Sequence, residues 1–251
     1  MGKIFITTSW DDGHKLDIKL SELLTKYGLA GTFYIAKDFE GRLKDEDIME
    51  ISKNHEIGAH TITHPNLLKI SEDEARKEIT ESKQWLEALL GNKIEMFCYP
   101  FGRFDNNIAG LVEKAGFLGA RTVEKFLYKL PKNLFSMGTT IQIYPFPFRK
   151  KNENNFFWRH LLDPFLQDHS SIKRNFRIPI SAFRNWSSMS KAIFDSVLQK
   201  GDYFHLWGHS WEIEKYGMWP DLEKFLEYIS HREGCIYLTN GDLLKKIKNV
   251  I

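Results

Sequence analysis

Cysteine is scarce in this chain. Of its 251 residues only Cys98 and Cys235 are cysteines, and they make no disulfide framework and are not spaced as a metal pair. An excess of one charge is also missing: the formal net charge is +2, so composition gives no reason to expect a nucleic-acid partner. No apolar run approaches the roughly 20 residues that span a bilayer. No charged segment followed by an apolar one opens the chain, so no secretory signal is expected and the expected location is cytoplasmic. No segment repeats at a fixed period. What is present is a hydrophobic fraction of 42%, enough for a substantial core. The length is near the usual size of an α/β barrel.

The chain opens on Ile4-Phe5-Ile6-Thr7-Thr8-Ser9-Trp10, a β-branched and aromatic run that reads as a buried strand. It ends in Asp11, Asp12 and Gly13. Asp-Gly is a hairpin signal, but Leu16, Leu20, Leu23, Leu24 and Tyr27 follow at helical spacing, with Gly28 as the stop. The unit is therefore strand, carboxylate loop, helix. Further strands are expected at 31–36, 56–61, 96–99 and 118–123. Helices are expected at 45–53, from Ser71 to Gly91 with Ser71 and Glu74 as a capping box, and from Asp105 to Gly116. Beyond Ser136 the pattern loosens to a strand at 139–144, a helix at 190–200, a strand at 202–209, a helix from Pro220 to His231, a strand at 236–238 and a helix at 242–248. Regular alternation predicts a parallel sheet with helical crossovers. About seven such units predict a single α/β domain over residues 1–251, a distorted (β/α)7-type barrel, with an irregular insertion at about 145–179. That insertion mixes aromatics (Phe146, Phe148, Phe156, Phe157, Trp158) with bases (Arg149, Lys150, Lys151, Arg159). It is expected to pack over a barrel end and not to lie on a membrane, because Pro145, Pro147 and Pro164 interrupt any long amphipathic helix.

Strand ends are where α/β proteins place their chemistry. His60 and His64 form an H-x-x-x-H pair. Thr61 stands where a zincin would carry its Glu, and Pro65 disfavours helix at His64, so the pair is placed on a strand end and the loop after it. Two imidazoles and one carboxylate suffice as protein ligands for a catalytic metal with an open position. Such a set accepts zinc, cobalt, nickel or iron. Asp11 and Asp12 point to opposite faces on a regular strand. They serve one site only if the backbone turns there, which Gly13 permits; one carboxylate would then bind the metal and the other act as general base.

Asp11-Asp12-Gly13, then His60-Thr-Ile-Thr-His64-Pro65, then Tyr99-Pro100-Phe101-Gly102, resembles the polysaccharide deacetylases with a NodB-type homology domain, carbohydrate esterase family four. The resemblance covers nearly the whole chain and is weakest at 145–179. It implies a distorted barrel, one divalent metal, usually zinc, and hydrolysis of an N-acetyl group from an amino sugar or glycoconjugate. It further implies Asp11 as base, Asp12, His60 and His64 as metal ligands, and Pro100, Phe101 and Gly102 as part of a substrate groove. Asn185-Trp186 resembles the end of the family's Asp-Trp motif, so Trp186 is expected to wall the pocket or to be a core residue. Trp211 is expected to pack on the acetyl methyl or to fill the core.

Two departures stand out. The family often has an Arg where this chain has Cys98, and that Arg holds the base. Arg121, or Arg103, can substitute. The family's catalytic acid is a late-strand His. Here His205, Trp207 and His209 share a face, and His209, followed by Ser-Trp-Glu, is the expected acid, with His205 expected as a satisfied barrel-core histidine. These departures keep two alternatives open: hydrolysis of another non-peptide C–N bond, such as a cyclic ureide, and an inactive barrel that only binds a glycan.

Overall fold

The structure, a computed structural model, describes residues 3–148 and 163–248. Among the described residues eight strands run in parallel: β1 (Ile4–Trp10), β2 (Thr32–Ile35), β3 (Glu56–Ala59), β4 (Met96–Cys98), β5 (Gly119–Arg121), β6 (Ile141–Gln142), β7 (Tyr203–Gly208) and β8 (Cys235–Tyr237). Their order is β5-β4-β3-β2-β1-β7-β6. β8 pairs with Ile4–Ile6 of β1, whereas β2 pairs with Ser9 and Trp10 further along the same strand. β1 is thus the hub, and its nearly unbroken burial is what a parallel strand covered on both faces requires.

The sheet curls until its ends meet. Met137 bridges Arg121 at the β5 end. A few residues on, the Thr140 N–H donates to the His205 carbonyl and the Ile143 N–H to that of Trp207. One segment therefore ties both ends of the sheet, which gives the distorted barrel that the alternation of elements predicts.

The crossovers follow the sequence signals. Helices α1 (Asp17–Lys26), α2 (Asp45–Ile51), α3 (Glu72–Leu90) and α4 (Asn106–Lys114) sit where periodicity places them. Ser71 caps α3 reciprocally with Glu74, and Gly91 ends it at φ 69°. Asp105 Oδ1 accepts the Ile108 N–H at 2.9 Å to start α4. One large apolar core fills the space between strands and helices. A smaller one, with Tyr34, Met96, Cys98, Met137 and Tyr203, is closed by Leu243, Leu244 and Ile247 of the Asn240–Lys248 helix.

Three elements go beyond or differ from the reading of the sequence. Within the 145–179 stretch, Asp163–Phe176 is a helix. Pro164 lies within that helix and does not break it. The helix expected from residue 190 begins at Trp186, because Asn185 Oδ1 caps the Ser188 N–H at 2.8 Å. A short helix, Ser210–Lys215, follows β7 directly. Arg149 to Arg159, the aromatic and basic stretch, lies outside the described residues. Among the described residues no helix is long and apolar enough to cross a membrane.

Candidate active site

The C-terminal ends of the strands carry the predicted residues. At the end of β1, Asp12 (φ 79°) and Gly13 (φ 70°) are consecutive left-handed residues, and this turn swings both carboxylates toward the barrel mouth. A Cβ at Gly13 would lie 2.7 Å from Ile35 Cγ2, so the position has neither the dihedral freedom nor the room for another residue.

Asp12 faces the two histidines. His60 Nε2 and His64 Nε2 are 3.1 Å apart, and they lie 3.7 and 3.5 Å from Asp12 Oδ1. One ligand atom from each of the three residues lies within 4.8 Å of the others. His60 Nδ1 is 2.8 Å from the Cys98 carbonyl. A carbonyl only accepts, so that nitrogen carries the proton and Nε2 keeps its lone pair for the site. Burial pushes the His60 imidazole down to about 4, which keeps it neutral near pH 7. The second Asp12 oxygen accepts the Trp211 indole N–H at 2.8 Å.

Asp11 takes a different set of partners. Its Oδ2 accepts from Arg121, which is fully buried, and its Oδ1 is buried without a hydrogen bond among the described residues. Burial alone would raise the Asp11 carboxyl. Arg121, with His60 and His209, outweighs that and holds it below its ordinary value. Arg121 is the register partner of Cys98, so the cation enters from the strand next to the one on which the resemblance places it. It is sandwiched between the rings of Tyr34 and Trp207, 5.4 and 4.9 Å from their centroids. Cys98 Sγ lies 3.8 Å from Asp11 Oδ2, and burial keeps its thiol well above the usual range.

His209 caps the opposite wall, with Nε2 3.9 Å from Asp12 Oδ2 and Nδ1 2.8 Å from Glu212 Oε2. Burial works against its charge, but Glu212, Asp12 and Asp11 outweigh burial and raise its pKa. His205 is elsewhere. It is fully buried inside the barrel, with ring nitrogens 2.6 Å from Thr7 Oγ1 and 2.9 Å from Ser9 Oγ, the satisfied core histidine that was expected. Phe101 is strained at φ 57° between buried Pro100 and Gly102 (φ 65°). It is 59% exposed, and its ring packs edge-on against His64 at 4.7 Å. Trp186 has core contacts instead: its indole N–H donates to the Gln142 carbonyl at 2.8 Å and its ring meets Phe225 edge-on.

Three carboxylates outside the predicted set lie around the site. Glu78 of α3 bonds the loop between the two histidines. Glu212 orients His209. Asp17 is fully buried beside Ser210, and burial pushes its carboxyl well up. Only Glu212, adjacent to the His209 motif, carried a local hint.

Residues 1–120 match the polysaccharide deacetylase family model. Peptidoglycan-N-acetylglucosamine deacetylase of Bacillus cereus is 28% identical over 107 residues, 42% of this chain and 39% of that protein. The match thus spans well under half of the relative's length. The crystal structure of a putative polysaccharide deacetylase from Mycobacterium smegmatis superposes with a TM-score of 0.71 at 15% identity, covering 100% of this chain and 92% of that one. A pseudoenzyme of carbohydrate esterase family four from Bacillus anthracis superposes with a TM-score of 0.52 at 14% identity, covering 97% and 66%. At such identities these likenesses are of fold.

Proposed function

We propose that this chain is a metal-dependent hydrolase that removes an N-acetyl group from an amino sugar of a polysaccharide or glycoconjugate. The observation that supports this most is the convergence of Asp12 Oδ1, His60 Nε2 and His64 Nε2 beside an Asp11 carboxylate with one unbonded oxygen. Two imidazole nitrogens 3.1 Å apart next to a carboxylate suit a shared cation, and the fixed tautomer of His60 presents a lone pair to it. Zinc is the ion we assign, and cobalt, nickel or iron would fit the same donors. When bound there, the ion supplies Lewis acidity toward a carbonyl and lowers the pKa of water.

The chain's own residues do the rest. Asp11 accepts the proton of the attacking water through Oδ1, while Arg121 holds its other oxygen and keeps it ionised. An amine leaves poorly unless protonated, so His209, whose pKa Glu212 and the two aspartates raise, donates to the departing nitrogen. Phe101 supplies an exposed apolar wall for a sugar face. Trp211 is committed through its N–H to Asp12, so its contribution is to leave Asp12 Oδ1 toward the histidines. N-acetylglucosamine in peptidoglycan is the first substrate to test, since a relative of the N-terminal half is named for it.

The decisive experiment is the metal content of protein purified without chelator, beside a His60→Ala, His64→Ala double variant, followed by acetate release from N-acetylated sugars. One equivalent in the parent, almost none in the variant and acetate from the parent are the expected results. Metal without acetate would point to another C–N amide, such as a cyclic ureide. Folded protein that takes up no metal when resupplied with zinc would sink the hydrolase and leave a glycan-binding barrel.

A further inference from the structure

The loop between the two histidines is held in a conformation its own residues disfavour. Thr61 (φ 70°) and His64 (φ 55°) are both left-handed, which is uncommon for any residue but glycine and unfavourable for β-branched threonine. The loop is gripped from two sides. On one side the Lys37 N–H donates to the Thr61 carbonyl at 3.3 Å and the Asp38 N–H to the Ile62 carbonyl at 2.8 Å. On the other, the consecutive amides of Ile62 and Thr63 both donate to Glu78 Oε2, at 2.7 and 2.9 Å. The Thr63 hydroxyl donates to Glu78 Oε1 at 2.7 Å. Successive amides that converge on one oxygen form an anion nest. Here the nest is filled from within the chain, by a carboxylate on a helix whose start is fixed by the Ser71 capping box.

We propose that Glu78 is a positioning residue for the metal site, a clamp that holds His60 and His64 in ligating geometry before the ion arrives. This rests on the metal-site reading above. Thr63 is exposed, so water can satisfy the donors that Glu78 releases, and the fold as a whole does not depend on the clamp. What depends on it is the balance between the left-handed loop and more relaxed alternatives. If the competent loop becomes a minor conformer, metal affinity falls by that fraction. Groups that support metal ligands typically change affinity 10–100-fold.

The test compares the parent with Glu78→Ala, Glu78→Gln and a control on the same helix, Glu81→Ala. Zinc affinity is read by competition with a chromophoric chelator, and amide hydrogen exchange at Ile62 and Thr63 is read in metal-free protein. Expected for Glu78→Ala are zinc binding weakened 10–100-fold, faster exchange at both amides and an unchanged circular dichroism spectrum. Glu78→Gln, which keeps one acceptor oxygen, should fall between, and Glu81→Ala should match the parent. Zinc affinity in Glu78→Ala within twofold of the parent, or unchanged exchange at both amides, overturns the clamp. A parent that binds no zinc, with exchange still accelerated in Glu78→Ala, defeats the metal reading while the clamp on the loop stands.

Discussion

Arg121→Met tests the pairing of the base. It leaves Asp11 buried and without its cation, which should destabilise the protein by about 3–5 kcal/mol in denaturant titration. The same change removes what holds the Asp11 carboxyl down, and burial then raises it. A base works when ionised, so the acid limb of the pH–rate profile should move to higher pH. Asp11→Asn and His209→Ala should each lower kcat by about 10²–10⁴-fold while the metal content stays at one equivalent. Glu212→Gln should lower the pKa of His209 and bring the alkaline limb to lower pH; an unmoved limb would remove His209 as the acid. At this scale the proposed ligands could be named because they sit in two short runs, 11–13 and 60–65, whose chemistry is local. Arg121 could only be offered beside Arg103, since its service to Asp11 is a contact between distant strands. Glu78 and Asp17 were invisible for the same reason: a glutamate on an amphipathic helix and an aspartate in a first helical turn look like ordinary surface and capping residues until the loops they face are folded over them.

Among the elements, α3 joins local and remote signals. Ser71→Ala breaks a reciprocal cap and should cost about 1 kcal/mol in thermal or chemical unfolding, with kcat unchanged, because Glu78 sits beyond the first turn. α1 to α4 and β1 to β5 were legible because alternation, caps and glycine stops agree there. The Asp163–Phe176 helix was missed because Pro164 was read as a helix breaker. β6 falls inside the strand expected at 139–144 but is only two residues long, because its ladder with β7 covers only Ile141 and Gln142.

For the whole molecule, the barrel floor should set a pH dependence of stability. Glu56 accepts from Thr32 Oγ1 at 2.7 Å and from the Gly241 N–H at 3.0 Å, linking β2, β3 and the closing helix. Burial pushes its carboxyl from an ordinary 4.5 up to about 7. The native state thus holds this proton longer than the unfolded chain does. The stabilisation is complete below about 4.5 and fades as pH rises toward 7, on the order of 3–4 kcal/mol over that window. Glu56→Gln, neutral throughout, should flatten this slope in denaturant titrations at pH 5 and pH 8; an unchanged slope would show that Glu56 is not its source. The hub position of β1 has a consequence for how the molecule is made. Its edges are completed by residues 203–208 and 235–237, which are synthesised long after it. At about 5–20 residues per second, roughly 10–40 s pass between synthesis of Asp11 and Asp12 and the arrival of β7. Through that interval the nascent chain carries an apolar strand with an unpaired edge, a template for association with other chains. A chain stopped before residue 203 should therefore aggregate, and Asp11 and Asp12 reach their working positions only after β7 has been made.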